Sequence, residues 1–219
     1  MDSQSTVRNI NMIKVVPAIL ENNLNDIKKR VEQVKPFVDL IHLDVMDGQF
    51  VPNNTFNDPA ALAENKLGIK ISVHLMIAHP EFFIKKWNLD EVETVFVHKE
   101  AATNLNEAIS LIKSINKKVG VAINPHTSSY DIKDYLDQID ELLVMGVEPG
   151  FASQAFNSDV LAKIAYLKKD RPNLIISVDG GINMESKNKI IKAGADILCA
   201  NSYIFKSSDI KTAIDSLKS

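Results

Sequence analysis

Ile41-His42-Leu43-Asp44-Val45-Met46-Asp47-Gly48 is the stretch from which the rest of the chain can be read. Leu40, Ile41, Leu43 and Val45 make the apolar run of a buried strand, and His42 and Asp44 interrupt it two residues apart. A strand turns alternate side chains to opposite faces, so both polar groups point the same way. Burying an unpaired imidazole or carboxylate is costly. A metal ion, or a proton being moved, would supply the partner.

Outward from this strand, the same pattern of a short apolar run followed by a helical one recurs along the chain. Strands are expected at 13–20, 39–45, 69–75, 94–97, 119–123, 142–147, 174–178 and 197–200. Helices are expected at 24–34, 58–66, from Pro80 through Phe83 and Trp87, at 104–115, 132–136, 160–167, around 190–193, at 202–205 and at 210–217. Strands this short and apolar, each followed by a helix, indicate a parallel sheet. Eight of them, at about 25-residue intervals, close into a (β/α)8 TIM barrel. The rival open, doubly wound sheet lacks its fingerprint, since no G-x-G-x-x-G follows any of these strands.

Residues 13–219 are thus expected to form a single catalytic barrel, with 1–12 a polar, flexible N-terminal extension. Those twelve residues lack the apolar core of a signal peptide. The net charge of -3 and the absence of a Lys/Arg-rich cluster argue against nucleic acid or an anionic membrane as partner. With 45% hydrophobic and 24% charged residues the composition is that of an ordinary globular protein. The single cysteine, Cys199, excludes an internal disulfide and fits a cytoplasmic location.

Barrels place their chemistry at the C-terminal ends of the strands. The ionisable and metal-binding residues expected there are His42, Asp44, His74, His98 and Asp179. Two histidines and two carboxylates, His42, Asp44, His74 and Asp179, match a site for zinc, iron or manganese. A lone strand histidine is ordinarily a hydrogen-bonded core residue, which is the reading for His98. His79 and His126 read as exposed. Met46, Met76 and Met145 fall at strand ends; methionine there is by default core filler, but at a barrel mouth it would form a dry lid over a reacting carbonyl. Gly150, Gly180, Gly181 and the Asn201-Ser202 helix start lie where barrels bind phosphate through backbone N–H groups.

These residues resemble the ribulose-phosphate 3-epimerase family. The resemblance runs along nearly the whole chain, through His42-Leu43-Asp44-Val45-Met46-Asp47-Gly48 with Phe50-Val51-Pro52-Asn53, Val73-His74-Leu75-Met76 with Pro80-Glu81, Val147-Glu148-Pro149-Gly150-Phe151 and Val178-Asp179-Gly180-Gly181. It implies a barrel of the ribulose-phosphate-binding type. It further implies that His42, Asp44, His74 and Asp179 bind one divalent metal ion (Zn, Fe, Mn or Co), with Asp44 and Asp179 also exchanging protons. The implied reaction interconverts D-ribulose 5-phosphate and D-xylulose 5-phosphate by proton removal and return at C3 through an enediolate. His74 and the loop residues Gly150, Phe151, Ala152, Ser153, Gly180, Gly181, Asn201 and Ser202 are the implied contacts to the ketose phosphate, and the family implies a homo-oligomer.

Three positions depart from the family pattern. Ala18 stands where the first strand usually carries a serine that touches the substrate, Gly150-Phe151-Ala152-Ser153 replaces Gly-Phe-Gly-Gly, and Asn201-Ser202 replaces Gly-Ser. All three concern substrate contacts and none the metal or acid/base residues. A 3-epimerase acting on a six-carbon ketose phosphate such as D-allulose 6-phosphate is therefore the alternative, followed by a barrel that binds sugar phosphates without turnover. The Asp-x-Lys-x-x-Asp motif of phosphate-barrel decarboxylases and aldolases is missing.

Overall fold

The computed structural model describes residues 13–219, so the expectation for residues 1–12 lies outside the described residues. Eight parallel strands, β1 (Lys14–Ile19), β2 (Leu40–Met46), β3 (Lys70–Met76), β4 (Val92–His98), β5 (Lys118–Ile123), β6 (Glu141–Met145), β7 (Ile175–Asp179) and β8 (Ile197–Ala200), form a closed barrel in sequence order. Around it run α1 (Leu24–Val34), α2 (Pro59–Glu64), α3 (Leu105–Ser114), α4 (Val160–Asp170), α5 (Met184–Ala193), α6 (Ser202–Phe205) and α7 (Ile210–Lys218).

The helices start where the sequence supplies an acceptor for their unpaired N–H groups. Asn23, Asp58, Asn104, Asn183 and Asp209 each accept from a backbone N–H in the first turn of α1, α2, α3, α5 and α7. Such a cap stabilises a helix by about 1 kcal/mol. Alternation along the strands then divides the core in two. One set of apolar residues, including Ile41, Leu43, Val45, Val73 and Val178, faces the helices. The other, including Val16, Ala18, Phe96, Leu143 and Cys199, fills the barrel.

Register fixes which inward residues meet. Ala18 lies beside His42, His42 beside Ser72, Asp44 beside His74, and His74 beside Phe96. Farther round, Phe96 lies beside Gly120, Met145 beside Asp179, and Asp179 beside Cys199. Phe96 occupies the space that Gly120 leaves: a Cβ at Gly120 would sit 2.2 Å from the ring. The ring thereby forms a floor beneath His42 and His74, with centroids 5.5 and 6.4 Å away.

Two expected helices take a tighter form. The segment after β3 makes two 3₁₀ turns, Pro80–Phe82 and Ile84–Trp87. Left-handed His79 fixes where the segment starts, and the cap at Phe83 divides it into two tight turns. After β5, Ser129–Gln138 is also 3₁₀, started by a reciprocal Ser128–Asp131 cap and anchored by buried Ile132 and Leu136 with Tyr135 packed beside them. β6 ends at Met145 rather than 147, and the N–H of Gly146 just beyond it makes the last bond to β7, to Asp179 O at 2.6 Å.

Candidate metal centre at the barrel mouth

Period two on β2 turns both His42 and Asp44 into the barrel, and β3 and β7 bring His74 and Asp179 to them. One ligand atom from each of the four lies within 4.8 Å of all the others. His74 Nδ1 is 3.0 Å from Asp44 Oδ1 and 3.9 Å from Asp179 Oδ2, and His42 Nε2 is 3.6 Å from Asp44 Oδ1. All four are buried.

The donors fit a divalent cation. His42 Nε2 is buried with no hydrogen-bond partner. On the far side of the same ring, Nδ1 is 3.0 Å from Ser72 Oγ, which itself donates to Ile41 O at 3.2 Å. Ser72 therefore accepts from Nδ1–H, and the bare Nε2 lone pair points into the cluster. Two imidazole nitrogens and two carboxylates are a ligand set for zinc, iron, manganese or cobalt. Their spread closes with a small contraction around one ion at metal–ligand distances of ~2.0–2.2 Å.

Charge points the same way. Burial holds the His42 imidazole down at about 3, and burial together with the neighbouring histidines His98 and His42 pushes His74 well below its ordinary value. Both rings are thus neutral ligands. Burial pushes the Asp44 carboxyl well up, with the Asp179 charge adding to it; burial also raises Asp179, only partly offset by the Gly180 N–H. Two carboxyls crowded away from water hold protons until a cation replaces them.

Above the cluster is a cleft onto which Asp44 and Asp179 open. Met46, Met76 and Met145, the three expected lid residues, line it, as do Gly150, Phe151, Ala152, Ser153, Gly180, Gly181, Asn201 and Ser202. His74 lies below the cleft and is not among its lining residues. The loop after β6 is held by Asn53 Nδ2, which donates to Gly150 O at 2.9 Å, and by Gln154 Nε2, which donates to Glu148 O and Phe151 O. Ser153 is left-handed, with φ 65°, and its hydroxyl accepts from Lys206 Nζ at 2.9 Å. Gly180, at φ 94°, is packed so closely that a Cβ there would meet the Val147 side chain at 2.4 Å. Asn201 Nδ2 donates to Ala18 O at 2.8 Å, joining the end of β8 to β1.

His98 is a buried, hydrogen-bonded histidine outside the ligand cluster, as expected. His79 is exposed and bonds Thr103, and exposed His126 pairs with Glu148. Ser72, Phe96, Glu100 and Lys206 are partners that the strand pattern does not single out. For Glu100 a signal exists: His98-Lys99-Glu100 repeats the spacing of His42-Leu43-Asp44.

A sequence model of the ribulose-phosphate 3 epimerase family matches residues 14–205. The chain is 39% identical over 214 residues to the ribulose-phosphate 3-epimerase of Bacillus subtilis (strain 168), covering 94% of this chain and 99% of that protein. It is 37% identical over 213 residues to that of Methanocaldococcus jannaschii, covering 94% and 90%. Among solved structures, the 3-hexulose-6-phosphate synthase of Salmonella typhimurium superposes with a TM-score of 0.70 at 17% identity, covering 94% of this chain and 97% of that one. The orotidine 5'-monophosphate decarboxylase of Sulfolobus solfataricus gives 0.63 at 13%, covering 94% and 96%. At such identities these two share the fold alone.

Proposed function

The chain belongs to the ribulose-phosphate 3-epimerase family, and from that premise we propose that it interconverts D-ribulose 5-phosphate and D-xylulose 5-phosphate at C3. One observation carries the reading: His42, Asp44, His74 and Asp179 meet within 4.8 Å beneath a cleft walled by glycine-bearing loops. His42 Nε2, His74 Nδ1 and the two carboxylates hold one divalent cation. When bound, it supplies a Lewis acid that spreads the charge developing on the ketose oxygens as the C3 proton leaves.

The chain does the rest. Asp44 and Asp179, on separate strands facing the cleft, exchange the C3 proton, one removing it from one face and the other returning one to the opposite face. Met46, Met76 and Met145 keep water from the reacting carbons. Backbone N–H groups of the 150–153, 180–181 and 201–202 turns receive the phosphate, with Lys206 held beside them through Ser153. We also assign the protein to the cytoplasm, where buried Cys199 stays reduced, and infer a homo-oligomer from the family.

The test is a coupled assay in deuterated water with Zn²⁺, Fe²⁺, Mn²⁺ or Co²⁺ supplied. Deuterium at C3 and D-xylulose 5-phosphate are expected from D-ribulose 5-phosphate. If neither forms with any of these ions, the five-carbon assignment is wrong. A parallel arm with D-allulose 6-phosphate, motivated by the smaller Ala18, then decides the six-carbon alternative.

A further inference from the structure

His74 is bonded on both sides. Its Nδ1 faces the carboxylates of the cluster, and its Nε2 lies 2.8 Å from His98 Nε2. Two ring nitrogens this close share one hydrogen, so one donates and the other accepts. Beyond, His98 Nδ1 lies 3.3 Å from Glu100 Oε2. Glu100 Oε1 accepts from Asn124 N–H at 2.8 Å and from the Thr127 hydroxyl. The His98 ring is shut away from solvent, with Phe50 packed on it at a centroid distance of 4.9 Å. Its tautomer is therefore set by these partners.

With both rings neutral and Glu100 ionised, one arrangement satisfies the whole chain. The carboxylate accepts from His98 Nδ1–H, which leaves His98 Nε2 as an acceptor. His74 must then carry its hydrogen on Nε2, and its Nδ1 lone pair faces the cluster. In the reverse arrangement His98 Nδ1 and Glu100 Oε2 would be two acceptors in contact, and His74 Nδ1–H would occupy the place of the cation.

We propose that Glu100, acting through His98, is a positioning residue that fixes the tautomer of His74 and so keeps its Nδ1 open to a divalent cation. The proposal rests on the metal reading above. Partners that orient a ligating histidine typically change metal affinity by ~10–100-fold.

Glu100→Gln separates this role from simple packing. The Gln carbonyl oxygen must stay on Asn124 N–H, so its NH₂ replaces Oε2 and donates to His98 Nδ1. That reverses every hydrogen along the chain. Glu100→Ala removes the bias without reversing it. Metal-free full-length protein is titrated with Zn²⁺ against a chelating dye, and thermal melts check folding. In Glu100→Gln the Zn²⁺ Kd rises ~10–100-fold, and in Glu100→Ala it rises less. Ring ¹⁵N shifts of the metal-free form place the His98 hydrogen on Nδ1 in wild type and on Nε2 in Glu100→Gln. A Glu100→Gln Kd within about twofold of wild type, or a larger loss in Glu100→Ala, overturns the proposal while leaving the metal reading intact. Wild-type protein that takes up no Zn²⁺ overturns both.

Discussion

Asp179 shows how one side chain sits in two balances at once. Its charge helps raise the Asp44 carboxyl, so replacing it by Asn relieves a like-charge contact while removing the proposed proton carrier. Asp179→Asn should therefore lower epimerisation by at least ~10²-fold, while the metal-free protein melts no lower than wild type. Near-wild-type turnover would remove Asp179 from the mechanism. This residue, with His42, Asp44 and His74, was legible in the sequence because polar groups in otherwise apolar strands stand out. Glu100 was less so: its spacing from His98 echoes that of Asp44 from His42, but it lies past the strand end among ordinary loop residues, and its proposed role depends on a ring from β4 touching one from β3. The direction of the Asn201 amide was likewise hidden, since it depends on a carbonyl at the other end of the chain.

At the level of elements, the pairing of β4 with β5 governs the depth of the site. Phe96 rests over Gly120, so Gly120→Ala forces a methyl against the ring. Overpacking of this kind costs ~1–3 kcal/mol. The displaced ring would press toward His42 and His74, so chemical denaturation should show lower stability together with weaker Zn²⁺ binding. Adding Phe96→Leu should recover stability; failure to do so would mean that the clash is absorbed elsewhere. The strands were readable from apolar runs alone, as were the helices carrying three or four core residues. The 3₁₀ segments at 80–87 and 129–138 were not, since a few buried anchors fit either helix type and the choice depends on the turn at each end.

For the molecule as a whole, the base of the barrel carries its own pH response. Glu141, at the start of β6, has its carboxyl pushed up to about 7 by burial, against the pull of the Ser177 hydroxyl, Lys14 and Lys118. Because this value lies above that of the unfolded chain, the stabilisation is complete below about pH 4.5 and is lost as pH rises through 7. Glu141→Gln should match wild type near pH 4 and exceed it by roughly 2 kcal/mol at pH 8. Urea titrations at the two pH values measure the difference, and an equal margin at both would exclude Glu141 as its source. The seam between β8 and β1, crossed by the bond from Asn201 to Ala18, bears on how the protein is made. A ribosome adds ~5–20 residues per second, so His42, Asp44 and His74 leave it many seconds before Asp179 and Asn201 exist to complete their surroundings. The four-residue cluster is therefore complete only after synthesis has passed Asp179, and the barrel around it only after β8 pairs with β1.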